Sequence, residues 1–168
     1  ELTDSSRELF FELLQELMAL DKQIVAYNKK IQQIYDQDET CQRIGKVQGV
    51  GPLTATAMVA TVSDPREFKN GRQLSAWLGL VPRQNSSGGR TTLLGISKRG
   101  NKYVRTLLIH GARAVLIKCG NKQDRRSLWI KQKEKTRGFN RTCVALANKN
   151  ARVIWALMAH KTEYKKAA

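Results

Sequence analysis

Two adjacent serines, Ser86 and Ser87, stand in residues 79–105, GLVPRQNSSGGRTTLLGISKRGNKYVR. Cations flank them: Arg83 before, and Arg90, Lys98, Arg99, Lys102 and Arg105 after. A hydroxyl in a flexible, Gly-bearing loop between cations suits a polyanion, either as a phosphate grip or as a nucleophile aimed at phosphorus. The stretch holds no His, Asp or Glu, and it shows neither a GxSxG elbow nor an SxxK pair. A nucleophilic serine here therefore needs activation from cations, from a metal or from another domain. Residue chemistry leaves two readings open. One is a nucleophile; the other is a Ser/Gly loop in which Arg83 and Arg90 simply bind phosphate.

The charge balance favours a nucleic acid. The 168 residues carry a net +16, unevenly spread. Residues 1–42 hold nine acids against four bases, whereas residues 43–168 hold five acids against 26 bases. A basic body on an acidic arm points to nucleic acid for the body and to another partner for the arm. No apolar run approaches the roughly 18 residues of a membrane span, and no signal-peptide pattern is present. Cys41, Cys119 and Cys143 lie far apart, no pair has metal-ligand spacing, and His110 and His160 are the only histidines. We therefore expect reduced, buried thiols, no metal site and a cytoplasmic setting. Because the chain begins at Glu1, we expect a piece of a longer protein with a further domain before it.

The elements that must position the serines follow from periodicity. Phe10, Leu13, Leu17, Leu20, Ile24, Tyr27, Ile31 and Ile34 recur in steps of three and four, a heptad seam without Gly or Pro. Residues 1–40 are expected to form a coiled-coil arm that joins two copies of the chain, the alternative being an amphipathic helix folded back on its own domain. A helical body is expected over 43–168. Its first part, RIGKVQGVGPLTATAMVATV, resembles a phosphate-gripping helix-hairpin-helix over 44–62. Gly49 and Gly51 permit a tight turn, Pro52 suits a first helical turn, and the free N–H groups there can hold a phosphate. An ordinary helical corner is the alternative.

A turn at Ser63-Asp64-Pro65 precedes a short helix opening at Asn70 or Gly71 and ending at Gly79. Over 79–100 we expect the serine loop, with one short strand or hairpin edge at 91–96 at most. Asn101 is expected to cap a helix running to Cys119, with Lys102, Arg105 and Arg113 on one side of it. Residues 121–137, basic and containing Trp129, read either as a nucleic-acid contact or as a solvated linker. A last helix over 140–160 presents a broad apolar arc and a narrower polar arc of Arg141, Lys149 and Arg152, candidate phosphate contacts. Residues 161–168 read as a frayed tail. The expected fold is all-α, with a long coiled-coil helix ahead of a compact helical domain.

VQGVGPLTA, then GLVPRQNSSGG, then GISKRGNKYVRTLL, in this order, resembles the C-terminal part of the bacterial IS-one-ten family of insertion-sequence transposases, also named for insertion sequences one-sixteen and nine-oh-two. The likeness runs from about Ile44 through the last helix. It implies a DNA recombinase with an N-terminal domain of four metal-binding acids, a coiled coil and a C-terminal domain bearing a nucleophilic serine. The family serine precedes the loop Gly, which implies Ser87, with Ser86 the lesser candidate. Implied partners are DNA, a structured guide RNA and a second copy of the chain; the implied cofactor is a divalent metal such as Mg in the other domain. Asp64, Glu67 and Asp124 make no convincing carboxylate cluster. This chain is therefore expected to be inactive by itself. The competing reading is a non-catalytic module that binds nucleic acid through the hairpin and dimerises through the arm.

Overall fold

Asp38 divides the chain. In the computed structural model, which describes residues 3–165, Asp38 ends one helix and caps the next, its carboxylate accepting from Cys41 N at 2.8 Å. Helix α1 (Asp4–Gln37) precedes it, capped by the Thr3 hydroxyl, and at 34 residues extends about 51 Å. No described residue of α1 is buried. It packs on α2 (Glu39–Gly45) and α3 (Pro52–Thr61), with the Tyr35 ring against Gly45.

The body is built around α7 (Phe139–His160). This helix contacts α2, a 3-10 turn (Pro65–Glu67), α4 (Gly71–Trp77), α5 (Lys102–Lys118) and α6 (Arg125–Arg137). Its apolar arc supplies Leu146, Ile154, Leu157 and Met158 to a core completed by Ile44, Met58, Leu74, Leu78, Leu80, Leu108 and Ile130. Most polar groups inside that core are paired, although Arg43 Nε and Arg126 Nε are buried without a hydrogen-bond partner among the described residues. Asn150, fully buried, donates to the Gln48 carbonyl at 3.1 Å and accepts from Arg126, which also reaches Gln48 O at 3.3 Å. The turn between α2 and α3 is thereby fixed to α6 and α7.

The fold is mostly helical, as the periodicity predicts, and three local expectations need correction. Residues 79–100 are not a loop with a single strand edge. They form an antiparallel ribbon of β1 (Pro82–Ser87) and β2 (Arg90–Ile96), closed by Gly88 and Gly89. Both glycines have positive φ, 55° and 75°, and this is what a two-residue hairpin turn needs. Residues 121–137 are not a linker. Asp124 caps α6 by accepting from Arg126 N and Ser127 N, both at 3.1 Å, and Ile130 anchors the helix in the core. The tail is docked as far as it is described. Glu163 pairs with Lys46 and lies near Arg43, and Tyr164 OH accepts from Arg126 Nη1 at 3.1 Å. The expected fraying of 166–168 lies outside the described residues.

Candidate nucleic-acid interface and the serine ribbon

The ribbon is clamped at its base and free beyond it. Ser97 N donates to Val81 O at 2.8 Å and Lys98 N to Gly79 O at 3.2 Å. Below them, Arg105 Nη1 donates to Leu78 O at 3.0 Å and Arg99 O at 3.2 Å. Asn148 Nδ2 holds Leu80 O at 3.2 Å and Ser75 Oγ at 3.3 Å. From Pro82 through Gly95 every residue is exposed.

The register separates the two serines. Ser87 pairs with Arg90 and Asn85 with Thr92, whereas Ser86 pairs with Thr91 and Gln84 with Leu93. Side chains alternate across a strand, so Ser87 and Arg90 share one face with Asn85 and Thr92, and Ser86 lies on the other. The Ser86 hydroxyl accepts from Gln84 Nε2 at 2.8 Å. Among the described residues the Ser87 hydroxyl has no hydrogen-bond partner. Pro82, Leu93, Leu94, Gly95 and Ile96 at the base of the ribbon line a groove of about 890 Å³ against α7. Opposite them stand Asn140, Arg141 and Val144.

That groove meets a second one. Ala145 and Asn148 of α7 line both; the second, of about 740 Å³, is bordered by Asn70, Gly71 and Arg72 of α4, Trp129 of α6, and Lys149 and Arg152 of α7. The polar arc of α7 is thus a continuous floor from Arg141 to Arg152, about 16 Å along the helix. Arg72 was missed from the sequence because it lies some 70 residues from its neighbours in the groove. Asn148 was legible in principle, since it falls on the same helical arc as Arg141 and Arg152.

The candidate cations sort into two groups, nine exposed and one buried. Arg83, Arg90, Lys98, Arg99, Lys102, Arg113, Arg141, Lys149 and Arg152 are exposed. Salt bridges among the described residues involve only Arg7, Arg43, Lys46 and Arg66, so none of those nine has an acidic partner there. Arg113 is held by Asn140 Oδ1 at 3.0 Å. Arg105 is a correction: it is 7% exposed, and its guanidinium holds two main-chain carbonyls instead of standing with Lys102 at the surface. Lys149 sits 4.6 Å from the Trp129 ring centroid; partial burial lowers its pKa, and so do Arg126, Arg125 and Arg152 nearby.

The two hairpin glycines have different roles. Gly49, at φ 85°, lies against the backbone of α5: an added Cβ would stand 2.7 Å from Gly111 O, and one on Gly111 would stand 1.8 Å from Gly49 O. Close helix packing therefore requires glycine at both positions. Gly51 caps α3 ahead of Pro52 with open space around it, leaving the first turn of α3 accessible.

The carboxylates are engaged locally. Asp64 is bound by Arg66, which lowers its pKa, and Asp124 by Ser127 and the start of α6. Among the described residues no group of three His, Cys, Asp or Glu side chains converges on a point. The side chains present thus do not fit a catalytic metal. The three thiols are free and buried; burial and the Asp38 carboxylate push Cys41 up to about 11. Among the described residues, no helix is long and apolar enough to cross a membrane.

Comparison with known proteins gives the class to which this helical chain belongs. Residues 41–129 match the family described as "Transposase IS116/IS110/IS902 family", and the chain belongs to that family. It is 49% identical over 164 residues to the transposase for insertion sequence element IS1111A of Coxiella burnetii, covering 98% of this chain and 45% of that protein. A probable family 20 transposase of Pseudomonas aeruginosa is 50% identical over 158 residues, 94% of this chain and 47% of its own length. A putative transposase of Sinorhizobium fredii, y4pF/y4sB, is 33% identical over 99% of this chain and 43% of its length. The chain spans somewhat under half the length of these relatives.

Proposed function

We propose that this chain is the nucleophile-bearing, DNA-binding half of a transposase, with Ser87 attacking a DNA phosphodiester. The observation that carries this reading is the ribbon itself. It is an exposed two-stranded element whose last rung pairs Ser87 with Arg90 and whose flanks hold cations without acids. A two-stranded ribbon fits the DNA major groove, and uncompensated Lys and Arg supply contacts to the backbone. In the proposed step the Ser87 Oγ–P bond forms and the P–O bond to the sugar oxygen breaks. The serine proton leaves to a base outside the ribbon, and the departing oxygen gains a proton. The reverse attack, by a sugar hydroxyl of another strand, releases Ser87 and completes exchange. Arg90, on the same face as Ser87, is placed to offset charge growing on the phosphoryl oxygens.

The acidic, metal-holding part of the active site belongs, on this reading, to a separate domain, and the chain alone is inactive. Helix α1 joins two copies through its seam of Phe10, Leu13, Leu17, Leu20, Ile24, Tyr27, Ile31 and Ile34, all exposed except the half-buried Ile31. A second exposed stripe, Phe11, Leu14, Met18 and Val25, supports an assembly through α1. The α2–α3 hairpin grips backbone phosphate through the open first turn at Gly51, and a structured RNA is a further expected partner. The reading is tested by Ser87→Ala in a full-length family member carrying this chain. DNA binding is expected to persist while recombination is lost; undiminished recombination would remove the serine from the mechanism.

The second reading, a binding module with inert serines, draws on the absence of any His, Asp or Glu in residues 79–105. A trapped protein–DNA adduct distinguishes the two.

A further inference from the structure

The recess between α4, α6 and α7 is unlike the rest of the basic surface, because an aromatic ring is set into it. Trp129 of α6, Lys149 and Arg152 of α7, and Arg72 of α4 all line it. Trp155 also borders the recess, but its Nε1 donates to Pro65 O at 2.9 Å. The Trp129 indole N–H has no such partner among the described residues. Lys149 lies over the Trp129 ring, 4.6 Å from its centroid, so a base stacking on that face takes the place of the ammonium. No carboxylate pairs with Arg72, Lys149 or Arg152 among the described residues, so the cluster carries excess positive charge. Arg125 and Arg126 add to it, as their effect on Lys149 shows. An anion entering here would relieve mutual repulsion among these groups.

Composition decides what kind of anion. A duplex backbone is met by Lys and Arg at its phosphates, with no call for an indole. The open groove of about 740 Å³ here combines one ring with several cations. It has the composition that holds single strands: a ring for the base, and cations for the backbone.

We propose that this recess binds one unstacked nucleotide of a single-stranded nucleic acid, the base against Trp129 and the phosphate among Lys149, Arg152 and Arg72. The Trp129 N–H, Asn148 Oδ1 and Asn70 Nδ2 are available for polar edges of the base or sugar, whereas Asn148 Nδ2 and Asn70 Oδ1 are engaged within the fold. The recess adjoins the groove beneath the serine ribbon through Ala145 and Asn148. A strand lying along α7 therefore runs from the Trp129 recess toward the ribbon. The inference rests on the chain being a nucleic-acid-binding half. The two claims fail separately, because Ser87 lies outside the recess and the test below reads strand binding, not recombination.

The test is fluorescence anisotropy of the whole chain with labelled 12-nucleotide single-stranded DNA, the matching RNA, and the 12-base-pair duplex. Trp129→Leu is expected to weaken one or both single strands about tenfold, with duplex affinity changed less than twofold. Loss confined to DNA or to RNA assigns the recess to that strand type. Trp129→Phe, which keeps a ring, is expected to retain most of the affinity. Lys149→Gln, at an exposed position, is expected to lower the salt slope for single strands by about one. Should Trp129→Leu fail to fold, Trp129→Phe and Lys149→Gln carry the test. Single-strand binding within twofold of the unsubstituted chain in both Trp129→Leu and Lys149→Gln overturns the proposal. An equal loss on single strand and duplex does so too.

Discussion

Ser87 pairs with Arg90 across the ribbon, on the rung next to the Gly88-Gly89 turn, while Ser86 lies on the opposite face and accepts a hydrogen bond from Gln84. Neighbours in sequence thus point to different surroundings. With Ser87 as the nucleophile, Ser87→Ala is expected to lower recombination by a full-length protein at least 1000-fold. Ser86→Ala is expected to leave it within about tenfold. Strand-exchange assays on both variants check this, and equal effects would mean that the ribbon's alternation does not select the nucleophile.

The clamp beneath the ribbon makes a different prediction for Arg105. Removing its guanidinium leaves the Leu78 and Arg99 carbonyls without that donor. Arg105→Met is therefore expected to destabilise the chain by about 1–3 kcal/mol in chemical denaturation. Arg141→Gln and Arg152→Gln, at exposed positions, are expected to change stability by less than about 0.5 kcal/mol. Each should lower the salt slope of nucleic-acid binding by about one. A large salt-slope change in Arg105→Met with unaltered stability would return that residue to the surface set.

Much of this organisation was legible in the sequence. The 3–4 spacing from Phe10 to Ile34 gave α1, and Asn70 and Asn101 marked the starts of α4 and α5 because their side chains accept from the first free N–H groups. Arg105 was misread because helical spacing from Lys102 says nothing about a neighbouring segment's carbonyls, which draw a guanidinium inward. The ribbon was misread because polar strands such as Arg83–Ser87 lack the apolar alternation that marks a half-buried strand. A fully exposed hairpin is set by its turn and register. The Gly88-Gly89 pair was the available signal, and it was read as looseness.

The α2–α3 hairpin offers a paired test of packing against ligand binding. Gly111→Ala drives a methyl into the Gly49 carbonyl and is expected to destabilise by about 3 kcal/mol or more, since backbone must move on both sides. Gly51→Ala meets open space and has φ near −94°, so a loss below about 1 kcal/mol is expected. Denaturation midpoints decide this; a large loss at Gly51 would show that its first turn is enclosed.

The docked tail gives a pH dependence with a definite sign. The hydrogen bond from Lys46, then the charges of Lys46 and Arg43, hold the Glu163 carboxyl below its ordinary value of 4.5. A lowered folded-state pKa contributes stability above the unfolded value, which is lost as pH falls through the folded one. The unsubstituted chain should therefore exceed Glu163→Gln in stability at pH 7, and the gap should close as pH falls below about 4.5. A gap independent of pH between 7 and 3 would show that the tail is held by Tyr164 and not by charge.

The central claim is a covalent bond between Ser87 and DNA. The direct measurement is mass spectrometry of the adduct trapped when a full-length protein carrying this chain is reacted with DNA. The account predicts a nucleotide-modified peptide bearing phosphorus on Ser87, absent from Ser87→Ala. An adduct on Ser86 or another residue, or efficient recombination with no adduct, would contradict it.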